Sequence, residues 1–102
     1  MASRLELQTE LETLLGSKDV YFQPPESKKL GYPCFVYTRS NIDTTKADNR
    51  NYLLVNRYDL TFIYRDPDST MPKEVLEHFS YCSMKNHFVT DNLYHDVFTL
   101  YY

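Results

Sequence analysis

The chain has 102 residues, of which 42% are hydrophobic and 25% charged, and a formal net charge of −3. That length suits a single domain over 1–102 with one modest core, and ten Tyr and six Phe exclude a chain disordered throughout. The acidic balance excludes nucleic-acid binding driven by bulk charge, and no apolar run approaches the roughly 20 residues of a membrane-spanning helix.

Ser3-Arg4-Leu5-Glu6 has the spacing of a capping box, in which the Ser hydroxyl and the Glu carboxylate satisfy the first amides of a helix. Leu7, Leu11, Leu14 and Leu15 follow at i, i+4, i+7 and i+8, and Gly16 supplies a stop. The spacing predicts an amphipathic helix over 4–15. The stripe lasts barely two heptads, so it is core rather than a zipper. No apolar leader segment precedes it, which gives the expectation of a protein that folds in a cytoplasm.

Val20-Tyr21-Phe22 reads as a short strand ended by Pro24-Pro25. Lys28-Lys29 is the one basic pair, and it falls in a Pro-flanked turn region that reads as solvated surface. "YPCFVYTR", residues 32–39, is the next strand, with Pro33 near its start. Residues 40–51, "SNIDTTKADNRN", hold little that is apolar and read as a long loop, either a floppy tip or a contact loop ordered by a partner.

Residues 52–65 then alternate with period two. Tyr52, Leu54, Asn56, Tyr58, Leu60, Phe62 and Tyr64 take one face, while Arg57, Asp59, Thr61 and Arg65 take the other. Fully extended, such a strand runs about 45 Å, against a radius of gyration of about 13 Å for a domain of this size. It must bend or overhang the core. Arg65-Asp66-Pro67-Asp68-Ser69 reads as a turn. Residues 72–79 read as a second helix with Pro at its start and Met71, Val75, Leu76 and Phe79 facing inward. Residues 81–89 and 93–102 read as two strands joined by Thr90-Asp91-Asn92. The predicted fold class is α+β: an antiparallel sheet of four to five strands with two helices packed on one face.

Few residues suggest chemistry. Cys34 and Cys82 lie far apart among apolar neighbours and read as buried free thiols. His78, Cys82, His87 and His95 match no zinc spacing. Tyr94-His95-Asp96 sets a base beside a carboxylate, but adjacent strand residues point to opposite faces. Neither Ser80 nor Ser83 sits in a nucleophile elbow, and two glycines cannot build a phosphate loop. The expectation is a protein that is not an enzyme and binds no metal or cofactor.

Three stretches, "VYFQPPESKKLGYPCFVYTRS", "KADNRNYLLVNRYDLTFIYRDPDS" and "HFVTDNLYHDVFTLYY", carry a resemblance. The most specific elements are Tyr32-Pro33, Ala47-Asp48-Asn49 followed by Tyr52, Arg65-Asp66-Pro67-Asp68-Ser69, and Asp91-Asn92-Leu93 with His95-Asp96-Val97-Phe98. Together they resemble the small minor tail proteins of long-tailed bacteriophages that terminate the tail or join it to the head. The resemblance covers nearly the whole chain after the first helix. It implies a small α+β domain, and a homo-hexameric ring that caps the tail tube and docks the head connector. The implied partners are the tail-tube protein, the head-connector protein and further copies of itself, with no nucleic-acid specificity and no membrane. The implied location is the virion tail, assembled in the host bacterial cytoplasm. On that basis Asp48, Asn49, Arg50, Arg57, Arg65 and Asp66 are the candidate interface residues. The alternative is a small monomeric binding or regulatory domain that uses one sheet face.

Overall fold

The structure is a computed structural model. It describes residues 4–25, 27–47 and 50–102, with the backbone alone for 41–47 and 50–55. The elements are α1 (Arg4–Leu15), β1 (Val20–Phe22), β2 (Cys34–Ala47), β3 (Arg50–Tyr64), α2 (Met71–His78), β4 (Cys82–Thr90) and β5 (Leu93–Tyr101). The fold is α+β, with one five-stranded sheet in the order β1-β2-β3-β5-β4. It is mostly antiparallel, but β1 runs parallel to β2, with Val20, Tyr21 and Phe22 opposite Phe35, Val36 and Tyr37. The sheet is therefore mixed rather than purely antiparallel. Residues 23–33 provide the crossover that a parallel pair requires and a tight hairpin cannot supply.

The α1 helix ends as its sequence dictates. Gly16 takes φ 78°, and its N–H donates to the Glu12 carbonyl at 2.9 Å. A left-handed residue closes the last turn, and Gly reaches that region without steric cost. The proposed capping residue Ser3 lies outside the described residues. Leu7 and Leu11 are wholly buried, and they join Phe35, Tyr37, Tyr58, Leu60, Phe62, Val75, Phe79, Phe98 and Leu100 in one core cluster. Leu14 packs against its margin. The even-numbered face of β3 is thus the core face from Tyr58 to Tyr64, as its alternation implies. In α2, Val75 is buried, but Leu76 is 37% exposed and does not join the core.

Ile63, on the other face of β3, is also buried. With Cys34 and Leu93 it forms a second small cluster, against which Tyr21, Leu30 and Val36 pack. The β1–β2 crossover covers this patch of the reverse face. The Gly31 N–H donates to the Tyr21 hydroxyl at 3.3 Å within it.

The expected loop over 40–51 is overturned for its described part. Residues 41–47 continue β2 and pair antiparallel with β3 from Arg50 to Arg57. Ile42, Thr44 and Thr45 are β-branched and suit a pleated ladder. The stretch carries no apolar alternation, and so its sequence reads as polar loop. Asp48 and Asn49 lie outside the described residues. Register shifts between Arg39 and Asn41 and between Thr45 and Lys46 mark bulges in β2, which add local twist.

Candidate assembly surfaces

β2 and β3 are 14 and 15 residues long. At about 3.3 Å per residue, β3 alone spans about 50 Å, which matches the 50 Å long axis of the molecule. Neither strand is flanked along its whole length. β1 pairs with β2 only at Phe35, Val36 and Tyr37, and β5 pairs with β3 only between Arg57 and Tyr64. The Tyr102 N–H adds one further bond to the Asn56 carbonyl, at 3.1 Å. Beyond that bond, 41–47 and 50–55 form a two-stranded arm with no third strand among the described residues. The long strand overhangs the core.

The four described candidate interface residues, Arg50, Arg57, Arg65 and Asp66, do not form one patch. Arg50 pairs with Ala47 in register at the distal end of the arm. Arg57 is half-buried where the arm leaves the sheet, and the Ser40 hydroxyl donates to its carbonyl at 3.1 Å. Arg65 is exposed at the opposite end of β3, with its guanidinium 5.6 Å from the centre of the Tyr32 ring. Asp66 shapes the turn that follows: its Oδ1 accepts the Asp68 N–H at 2.9 Å, and its carbonyl accepts the Ser69 N–H at 3.2 Å. One end of the set thus lies on the arm and the other about a whole strand length away.

β4 is the second open surface. It is the sheet edge opposite β1, and every residue from Ser83 to Thr90 is exposed. Tyr81, Met84, Phe88 and Val89 are large apolar side chains in or next to this strand that face water. Its middle is irregular. The register shifts at Lys85, whose ammonium lies 3.7 Å from Asp59, and the His87 N–H donates to the Asn86 side chain at 2.9 Å. A bulge and a Lys are devices that discourage edge-to-edge pairing.

One polar cluster lies in the core. Asp96, only 2% exposed, accepts the Tyr64 hydroxyl at 2.7 Å and the Nδ1–H of His87. The sheet brings these together because His87 stands opposite Asp96 across β4 and β5, and Asp96 stands opposite Phe62, two residues from Tyr64. Burial, and then the bond to Asp96, push the Tyr64 hydroxyl pKa well above its ordinary value. Tyr64 therefore stays a donor, and the carboxylate inside the sheet is satisfied by two donors rather than left bare. The sequence contains a signal for this cluster. Asp91 and Asn92 take φ of 53° and 62°, the two-residue hairpin turn that such residues favour. Counting outward from it pairs His87 with Asp96.

The other candidate ligands and nucleophiles diverge. His78 Nε2 lies 3.1 Å from Glu10, while His95 approaches the Leu93 carbonyl and stacks on Phe88 with ring centres 4.7 Å apart. Glu10 also accepts the Tyr102 hydroxyl, so it ties α1 to the segment that follows β5. Among the described residues no group of three or more His, Cys, Asp or Glu is placed to hold a metal. Burial pushes the Cys34 thiol up to about 12 and the Cys82 thiol to about 11. Both are free cysteines, but only Cys34 is buried as expected; Cys82 is half-buried.

Comparison of the chain with protein-family models, with curated proteins and with solved structures finds no match.

Proposed function

We propose that this chain is a structural assembly protein of a phage tail, a ring-forming subunit that caps the tail tube and joins it to the head connector. The observation that supports this best is the arm. A two-stranded ribbon is marginally stable in water on its own, and this one extends well past the strands that flank the rest of the sheet. A partner that covers its faces or continues its ladder removes that deficit. A ring subunit meets neighbours at both sides and other proteins above and below, so a projecting ribbon and an open edge on one small domain suit the role. The buried position of Cys34 and the internally bonded Asp96 favour work done through surfaces rather than through a reactive group.

The test is electron microscopy of purified tail tubes mixed with the protein. The expected result is a ring at one tube end, and tubes so capped should bind head connectors. Bare tube ends at saturating protein would overturn the tail-capping role. A protein that stays monomeric and instead binds a single unrelated partner would favour the regulatory-domain alternative.

A further inference from the structure

Resting on the ring assembly proposed above, we infer that copies of this chain join head to tail by sheet continuation, the outer edge of the arm in one copy pairing with the 88–90 end of β4 in the next. Among the described residues two ladder edges are unpaired. The first is the outer edge of β2 along 41–47, beyond β1 and beyond the Arg39 N–H, which is taken by the Gln23 side chain at 3.4 Å. The second is β4, whose only sheet neighbour among the described residues is β5. They lie at different places on the molecule and cannot meet within one copy, because β3 and β5 stand between them. An edge strand exposing Phe88 and Val89, one on each face, is a template for another strand.

The guarded middle of β4 sets the strength of this contact. Lys85 at the bulge and Asn86 on the His87 N–H split the edge into two short regular stretches, Cys82–Met84 and Phe88–Thr90, of which the second carries exposed Phe88 and Val89. A pairing that short buries far less than the roughly 800 Å² per partner of a stable two-protein complex. One such contact does not hold two copies together in dilute solution. The edges are different surfaces, so the contact is heterologous: it repeats in one direction and becomes durable only on closure into a ring. Each subunit is then held at both sides, and the second contact forms at the high effective concentration that the first provides. The occupant of the β4 edge is therefore a second copy of this chain.

Cysteine pairing tests this directly. Thr44→Cys protein is mixed with Val89→Cys protein at high concentration and on tube ends, oxidised, and read on non-reducing gels. Melting curves confirm that both variants fold. The expected result is a disulfide-linked heterodimer that is several-fold more abundant in the mixture than any dimer from either variant alone, and that is lost when Phe88→Lys is added to the Val89→Cys chain. Dimers from Val89→Cys alone at equal yield would show β4 pairing with β4 and overturn the inference. So would rings that form on tubes without the cross-link, which would leave the tail-capping role standing. Cross-linked chains that ignore tail tubes would do the reverse, keeping the edge pairing and removing the tail assignment. Absence of both cross-link and self-association at high concentration would also overturn it.

Discussion

The Tyr102 N–H donates to the Asn56 carbonyl at 3.1 Å, and this bond marks where the domain ends and the arm begins. On one side of it β3 lies between two strands and over a core. On the other side only β2 accompanies it among the described residues.

Deletion of 43–55, with Ile42 joined to Asn56 through Asn-Gly, keeps that bond and closes the hairpin at a pair already in register. The shortened chain should melt within a few degrees of the full one, because a lone two-stranded ribbon adds little stability. It should fail to assemble. Thermal melting by circular dichroism checks the first part. A collapse of the fold would place the arm in the domain rather than on its partners.

The core face of β3 predicts a large effect at Leu60, which is wholly buried beside Leu7, Leu11 and Phe98. Leu60→Ala should cost about 2–5 kcal/mol, the range of large-to-small changes in a packed core. Urea unfolding measures it, and a loss below about 1 kcal/mol would contradict the packing described.

Tyr64 and Asp96 should be coupled. Tyr64→Phe removes one of the donors to a buried carboxylate and should cost about 1–3 kcal/mol. Asp96→Leu leaves the Tyr64 hydroxyl buried without its partner. The double variant should lose less than the sum of the two, since neither polar group then remains unsatisfied. Additive losses in a double-mutant cycle would show that the 2.7 Å bond carries no coupling.

Stability should fall at alkaline pH. Cys34 and Cys82 are raised from an ordinary 9.0 to about 12 and about 11 by burial, and Tyr64 is raised from 10.0. The folded chain holds these protons at a pH where the unfolded chain has released them. The stabilisation is therefore complete below pH 9 and is lost as pH rises through the folded values. Melting temperatures between pH 8 and 11 should drop from about pH 9 onward, and a flat profile would contradict the burial of these groups.

Arg65 is exposed, and its contact with the Tyr32 ring is worth about 0.5–1 kcal/mol at such a site. Arg65→Glu should change the melting temperature little. It should reduce ring formation on tubes if this end of β3 faces a neighbour, because a reversed charge at an interface rim penalises docking. Undiminished assembly would remove Arg65 from the interface.

Much of the domain was legible in the sequence, where one face is apolar and the other wet. The Leu stripe of α1 and the alternation from Tyr58 to Tyr64 carry their periodicity openly, because burial on one side selects it. Three features escaped for physical reasons. Residues 41–47 pair with β3 although their sequence carries no apolar alternation. Ile63 interrupts the polar face of β3, and only the returning segment through Leu30 explains its burial. The bond between His87 and Asp96 depends on register across a hairpin, which a strand read in isolation does not contain. Of the interface candidates, Asp66 falls in the turn that the sequence reads over 65–69, while Arg50 falls on the arm and not in a loop.

The central claim is assembly through the arm, and light scattering coupled to size exclusion tests it most directly. The full chain and the 43–55 deletion are each measured alone and after incubation with assembled tail tubes. The account predicts subunit-sized free protein in both cases, a multi-subunit ring recovered with tubes for the full chain, and none for the deletion. Equal recovery of the two chains with tubes, or monomer alone throughout, would contradict it.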